Sequence, residues 1–426
     1  MAALDTAPKV DEVPADSAVS LRAARRWPPP VLRVRAFRWY WAAQWPTLLG
    51  TWMQVVALGY LVFARTGSTT AVAVVAAADG LPAVALSLAG GVLADRFPRR
   101  RILLVTQTLL GLTSGTLALL VATGHASFGA IVLVAVAFGS IDAVDLPTRQ
   151  ALVADLVERE HVVSAVALGS AAMSATRIVG PSVAGILIGF AGPAVCFATL
   201  AVAYLVPLAV LLTVVPDLPP AERDRTRSAL RDLLGGLQEV KRDPLVRGVT
   251  IACATLAFLG VSYMPFLPVL AKTQLHGGAQ VLGLLYSVGG LGGLVAGLAI
   301  ASLHQSRRRQ LLLVGGPVYA VSLFGVAHST LLALTIPALV GISFAFLAIN
   351  TSLNTLVQTE TDPRMRGRLL GIYATLFAGL QPLGTVAYGL VPRSFGLFNA
   401  IGIGALIVGA VVLAVAYLPS FRARLS

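Results

Sequence analysis

The chain has 426 residues, 57% of them hydrophobic and only 12% charged, with a formal net charge of +13. A soluble globular domain carries about 25% charged residues, so this composition excludes an ordinary soluble fold of two or three domains. The positive excess does not point to nucleic acid. The arginines cluster at regular intervals beside apolar segments, where they act as topology determinants and contacts to anionic lipid.

In chain order, residues 1–36 read as a polar tail. Asp5, Asp11, Glu12 and Asp16 precede Pro28-Pro29-Pro30 with no apolar run, so the tail is predicted to be disordered rather than a secretory signal. Twelve apolar segments follow, at about 38–63, 70–94, 102–123, 128–153, 163–189, 192–215, 247–271, 280–303, 310–327, 330–356, 367–391 and 397–419. Each is long enough for a helix to cross a bilayer. Strand-length alternation is lacking, so helices are expected rather than a barrel.

With the start of the chain inside, 28 of the 32 Lys and Arg fall in, or at span ends bordering, the tails and loops of that side. Arg65, Lys272 and Arg393 fall outside, and Arg177 lies within a span. Short basic loops resist translocation. The expected product is therefore a multi-pass inner-membrane protein with both termini in the cytoplasm.

The halves expected are 37–215 and 247–419, joined by a cytoplasmic linker at 216–246 and followed by a short tail at 420–426. The polar stretch from Pro216 to Arg247 holds seven Lys/Arg and six Asp/Glu. Within it, Leu230, Leu233, Leu234, Leu237 and Val240 recur at helical spacing, which predicts an amphipathic helix on the membrane surface. The halves echo each other about 200 residues apart. Arg99-Arg100-Arg101 answers Arg307-Arg308-Arg309, and Gly180-Pro181 answers Gln381-Pro382. Paired six-helix halves with a site at their interface are the architecture of rocking secondary transporters.

The stretch from Gly91 to Arg101, GVLADRFPRRR, joins spans two and three. It resembles the signature loop of the major facilitator superfamily, although Pro98 stands where the second glycine is usual. That resemblance implies a latch that closes the cytoplasmic side in the outward-facing state, carried by Gly91, Asp95, Arg96, Arg99 and Arg100, with Asp145 and Arg149 as candidates to join it. In span five, Gly180, Pro181 and Gly185 resemble the antiporter motif of drug/proton exporters. Pro181 removes an intrahelical hydrogen bond, and the glycines thin the helix surface.

Several further stretches narrow the group: Phe37-Arg38-Trp39-Tyr40-Trp41, Leu49-Gly50-Thr51-Trp52-Met53-Gln54, Asp145-Leu146-Pro147-Thr148-Arg149-Gln150-Ala151 and Pro363-Arg364-Met365-Arg366-Gly367-Arg368. Together with Arg177-Ile178-Val179-Gly180-Pro181 they resemble the enterobactin-exporter and macrolide-efflux branch. The resemblance implies an all-α membrane protein of twelve helices in two pseudo-symmetric six-helix bundles, exporting small molecules at the expense of the proton gradient.

Charged residues inside spans are costly and are functional candidates. Asp142, Asp145 and Arg149 share one face of span four. If spans four and five turn near residue 159, Asp142 and Arg177 reach similar depth and are expected to form a buried pair. A coupling residue must bind and release a proton near neutral pH, a task suited to an unpaired carboxylate in a low-dielectric site. Asp79 in span two, without an obvious arginine neighbour, competes with Asp142 for that role.

The central cavity in this fold is formed mainly by spans 1, 4, 7 and 10. Gln54, Tyr263, Asn350 and Asn354 are its candidate polar residues, the two asparagines having helix-to-helix hydrogen bonding as an equal alternative. Cys196 and Cys253 lack the spacing of a disulfide framework or a metal site. There is no nucleophile–base constellation and no Walker A loop, so neither an enzyme nor an ATP-driven pump is expected, and no cofactor beyond the proton gradient. The leading expectation is a monomeric proton antiporter exporting drugs, secondary metabolites or siderophores. A solute importer on the same fold is the alternative.

Overall fold

A computed structural model describes residues 29–217, 238–301, 308–361 and 363–417; the side chains of residues 87–92, 94, 95, 301, 308, 309, 363 and 364 lie outside that description. The amphipathic helix expected around residues 230–240 falls largely on residues 218–237, also outside it. Twelve helices are long and apolar enough to cross a bilayer. They are α1 (Arg35–Thr66), α2 (Thr69–Arg96), α3 (Arg99–Ala122), α4 (Phe128–Asp155), α5 (Val162–Ala191) and α6 (Ala194–Thr213). The second set is α7 (Pro244–Thr273), α8 (Ala279–Ala301), α9 (Arg308–His328), α10 (Leu332–Glu360), α11 (Pro363–Gly389) and α12 (Leu397–Tyr417). No strand occurs among the described residues.

Local chemistry sets the ends. Ser68 caps α2 by accepting from the Ala71 N–H at 3.2 Å, and Ser127 caps α4 by accepting from Ala130 at the same distance. Each satisfies one of the orphan amides of a helix start. Gly67, at φ 58°, closes α1 in the left-handed conformation that glycine adopts without strain. Asp243 and Pro244 start α7 as cap and first residue, the Asp243 carboxylate accepting from the Leu245 N–H at 2.8 Å.

The packing repeats between halves. In the first half α2 packs on α4, α3 on α6 and α1 on α5; in the second α8 packs on α10, α9 on α12 and α7 on α11. Each pair maps onto the other by adding six, so the sequence echo reflects a repeated fold. The two cross-half seams obey the same rule, α5 against α8 and α2 against α11.

The side chains sort by solvent as a membrane protein requires. Leu133, Val163, Phe190 and Val321 are more than two-thirds exposed, because outward apolar side chains meet lipid at no cost. Close helix approach must then come from small residues. A Cβ on Gly185 would lie 2.7 Å from the Ala279 carbonyl oxygen, and one on Gly283 2.6 Å from that of Pro181.

Candidate functional site

The twelve helices enclose a cavity of about 790 Å³ between the two halves. A second space of about 360 Å³ adjoins it between α5, α7, α8 and α10. Trp52, Arg177, Val261, Met264, Tyr286 and Phe346 line both. Spans 1, 4, 7 and 10 contribute to the larger cavity as expected. Spans 2 and 11 contribute as fully, through Asp79, Gly80 and Val84 on one side and Phe377, Gln381 and Pro382 on the other. The wall is mostly apolar.

The two halves meet at the end of the helices remote from the side where α1 begins. There the Thr70 hydroxyl donates to the Gly389 carbonyl at 2.7 Å, the Ser182 and Ser287 hydroxyls bond at 2.6 Å, and Gly59 abuts Pro268. Gly80 packs on Pro382 nearer the middle. Every cross-half contact located by a glycine or a hydrogen bond among the described residues lies in this far half or at mid-depth. On the side where α1 begins, Gly169, Gly293, Gly367 and Gly371 have open space within 4 Å. Among the described residues, these contacts join the halves on the far side and at mid-depth, and none is found on the side where α1 begins.

Of the motif glycines, Gly185 forms part of that seal and Gly180 packs within the first half. Gly180 lies against Trp52 and Leu49 of α1, and Gly185 against Ala279 and Gly283 of α8. Pro181 withholds the N–H that would bond the Arg177 carbonyl; Gly290 of α8 packs against that same carbonyl, where an added Cβ would stand at 3.2 Å.

The arginines expected to form the latch are placed within the first half. Arg99 is buried, pairs with Asp155 and donates to the Ala151 carbonyl at 3.1 Å, tying α3 to the end of α4. Arg100 donates to the carbonyls of Leu211 (2.6 Å) and Leu212 (3.1 Å), capping α6. Arg96 ends α2 and is exposed. The side chains of Gly91 and Asp95 lie outside the described residues.

One expectation is corrected. Arg177 does not pair with Asp142. Its guanidinium stacks 5.4 Å from the Trp52 ring centroid. Asp142 is instead within 3.5 Å of Arg149, whose Nε lies 2.6 Å from Asp145 Oδ2 and whose Nη1 donates to Gln44 Oε1 at 3.4 Å. Asp145 is fully buried and also accepts from the Thr106 hydroxyl at 2.6 Å. The competing arginine was already on the same helix, one and two turns away, where it reaches both aspartates without any hairpin geometry. Asp79 lines the cavity, and no ion pair or hydrogen bond engages its carboxylate among the described residues.

The polar cavity candidates divide. Tyr263 lines the smaller space. Gln54 is buried, accepts from the Ser114 hydroxyl at 2.9 Å and faces α3 instead of the cavity. Asn350 accepts from the Tyr373 hydroxyl at 2.8 Å, which makes it a helix-to-helix contact, and Asn354 lines neither space. Sequence reasoning missed Trp52, Tyr286, Phe346 and Phe377 as wall residues. It also missed the break in α7, where a π turn at Leu256–Gly260 passes into a 3-10 stretch at Val261–Phe266. The signal was Pro265 and Pro268, which interrupt the α-helical ladder beside the cavity. Away from the cavity, the loop after α4 gathers Glu158, Glu160 and His161, an exposed acidic group.

Comparison with known proteins agrees with this geometry. Enterobactin exporter EntS of Escherichia coli O1:K1 is 27% identical over 388 residues, covering 89% of this chain and 91% of the relative. The same exporter from E. coli O139:H28 matches equally. Among solved structures, nucleoside transporter NupG superposes with a TM-score of 0.71 at 16% identity, covering 91% of this chain and 98% of that one. A bacterial homologue of the lysosomal transporter Spinster, in its inward-facing and unoccupied conformation, superposes at 0.68 and 15% identity, covering 92% and 97%. The model of the transmembrane secretion effector family matches residues 25–425, and the chain belongs to that family, within the enterobactin-exporter branch of the major facilitator superfamily.

Proposed function

We propose that this protein is a monomeric, proton-coupled exporter of amphipathic small molecules, working by alternating access with both termini in the cytoplasm. The observation that carries this reading is the cavity itself. It is large enough for a drug-sized molecule, mostly apolar, sealed on one side, and holds the unengaged carboxylate of Asp79 in its wall. The export direction is supported by the likeness to enterobactin exporters, and the N-in orientation by the distribution of Lys and Arg.

On this reading the conformation described is open to the cytoplasm. The Pro181–Gly185 segment helps seal the outer side, and the basic loop after α2 would latch the inner side once the halves rock. Asp79 is the better coupling carboxylate. Asp142 has part of the Arg149 charge, which it shares with the closer Asp145, whereas Asp79 has no cation beside it and depends on a proton or on substrate.

The test is accumulation of fluorescent drugs by a pump-deficient bacterium expressing the chain, with and without a protonophore. Lower accumulation, abolished by the protonophore, is expected. Asp79→Asn should remove the protonophore-sensitive part, and Asp142→Asn should leave most of it. Higher accumulation would replace export with import, and wild-type export by Asp79→Asn would end the assignment of Asp79.

A further inference from the structure

Two opposite charges stand free in one apolar wall. Arg177 is exposed to the cavity and its guanidinium lies 5.4 Å over the Trp52 ring, and no hydrogen bond or ion pair engages its donors among the described residues. Beside it the Trp52 indole N–H is buried without a partner, and the Tyr263 hydroxyl, in the wall of the adjoining space, has none either. These are three donors with no acceptor.

The opposite imbalance exists at Asp79. Its carboxylate has acceptor capacity and no donor, and Asp142, lining the same cavity, already has a share of Arg149. No ion pair joins Asp79 to Arg177, although both line the larger cavity. Arg177 also borders the smaller space and Asp79 does not, so Arg177 stands where the two spaces join and Asp79 on the wall of the larger one. Water can serve both groups while the cavity is open, but once the cavity closes and water is expelled each needs a partner of opposite charge. The aromatic and apolar residues around them, Met264, Tyr286, Phe346 and Phe377, suit a flat or elongated body.

We propose that the cavity is shaped for a zwitterionic amphiphile, with its acidic group held by the Arg177 guanidinium and its cationic group held by Asp79. The inference rests on the transport reading above and specifies its substrate class. It is consistent with proton exchange, because the cationic end and a proton compete for the same carboxylate. The anionic end anchors the molecule at a site that does not titrate.

The experiment uses the full chain in phospholipid nanodiscs, with no gradient, and the fluorescence anisotropy of three probes on one scaffold. Ciprofloxacin is the zwitterion, its methyl ester the cation, and its N-acetyl derivative the anion. Ciprofloxacin is expected to bind at least tenfold tighter than either derivative. Arg177→Gln should cost ciprofloxacin and the anion about tenfold and leave the ester unchanged, with Arg177→Lys in between, since a lysine supplies charge without the fork. Asp79→Asn should weaken ciprofloxacin and the ester and leave the anion unchanged. Equal binding of the three probes, binding of none, or a loss in either variant that is the same for every probe would overturn the proposal. If export fails while this order of binding holds, the transport reading falls alone; if export holds and the order collapses, only the charge pairing falls.

Discussion

Gly283 offers the sharpest test of the far-side seal. A side chain there would place its Cβ 2.6 Å from the Pro181 carbonyl oxygen and 3.0 Å from the Gly185 Cα, both backbone atoms of α5. Backbone cannot rotate aside as a flexible side chain can, so Gly283→Leu must push α8 from α5. Overpacking of this kind costs about 1–3 kcal/mol. The cost falls only on the conformation in which the two helices touch, so it shifts the balance between far-side-closed and far-side-open states by roughly 5- to 150-fold. Nitroxides at Thr66→Cys and Arg393→Cys, both exposed at far-side helix ends, report that balance by pulsed spin-resonance distance. The native Cys196 and Cys253 are fully buried and should stay unlabelled. A second, longer distance population is expected in the Leu variant. An unchanged distribution in a variant that purifies as a folded protein would refute the assignment of this glycine contact to the seal.

Other outcomes follow from the same geometry. Asp145→Ala removes the 2.6 Å partner of Arg149 and the acceptor of Thr106; losing a buried partner outright costs about 3–5 kcal/mol, and Asp142, at 3.5 Å from Arg149, recovers part of that, so the thermal unfolding midpoint in detergent should fall by a few degrees. Arg99→Ala frees the end of α4 from α3 and should lower the same midpoint, with Arg99→Lys restoring part of it because a single nitrogen, Nη1, makes both contacts. Gln54→Leu loses one side-chain hydrogen bond to Ser114, worth about 1 kcal/mol, and should leave probe affinity within twofold. Phe346→Ala removes an aromatic wall shared by both spaces and should weaken every apolar probe, whatever its charge, in the anisotropy assay.

The membrane helices were legible because bilayer thickness imposes a length and a polarity that local composition cannot disguise. The expected spans agree with the structure to within a few residues at most ends, and the Arg-rich loops and the matched Gly180-Pro181 and Gln381-Pro382 pairs indicated two related halves. The site was less legible. Gln54 and Asn350 are polar residues in spans, and polarity in a span marks either a cavity or a helix-to-helix bond. Ser114 and Tyr373 decide between these, and both are distant in sequence. Asp142 was assigned the wrong arginine for the same reason, since depth in a hairpin constrains position along the membrane normal but not the direction a side chain takes around its helix. Aromatic wall residues such as Phe346 and Phe377 carry no signal at all in a chain where apolar residues are the background.

The charges on the cavity wall are unevenly shared. Asp79, Asp142 and Arg177 all belong to the first half, and no charged residue of the second half lines either space among the described residues. What the second half brings is Met264, Tyr286, Phe346 and Phe377. On the proposed reading it acts on the charges as a movable low-dielectric wall, and when the halves rock these apolar and aromatic side chains close over carboxylate and guanidinium groups that water can reach in the open form. Closing over an uncompensated ion is costly, and closing over an ion neutralised by a proton or matched by a ligand charge is not. On the proposed reading this asymmetry supplies the coupling rule: an empty, ionised cavity resists the transition, while a protonated or substrate-filled one permits it. Transferring the sensitivity to the other half, by Asp79→Ala together with Phe377→Asp, should leave a folded protein in which that rule no longer links proton to substrate. Uptake of the drug would then run down its own gradient with and without a protonophore.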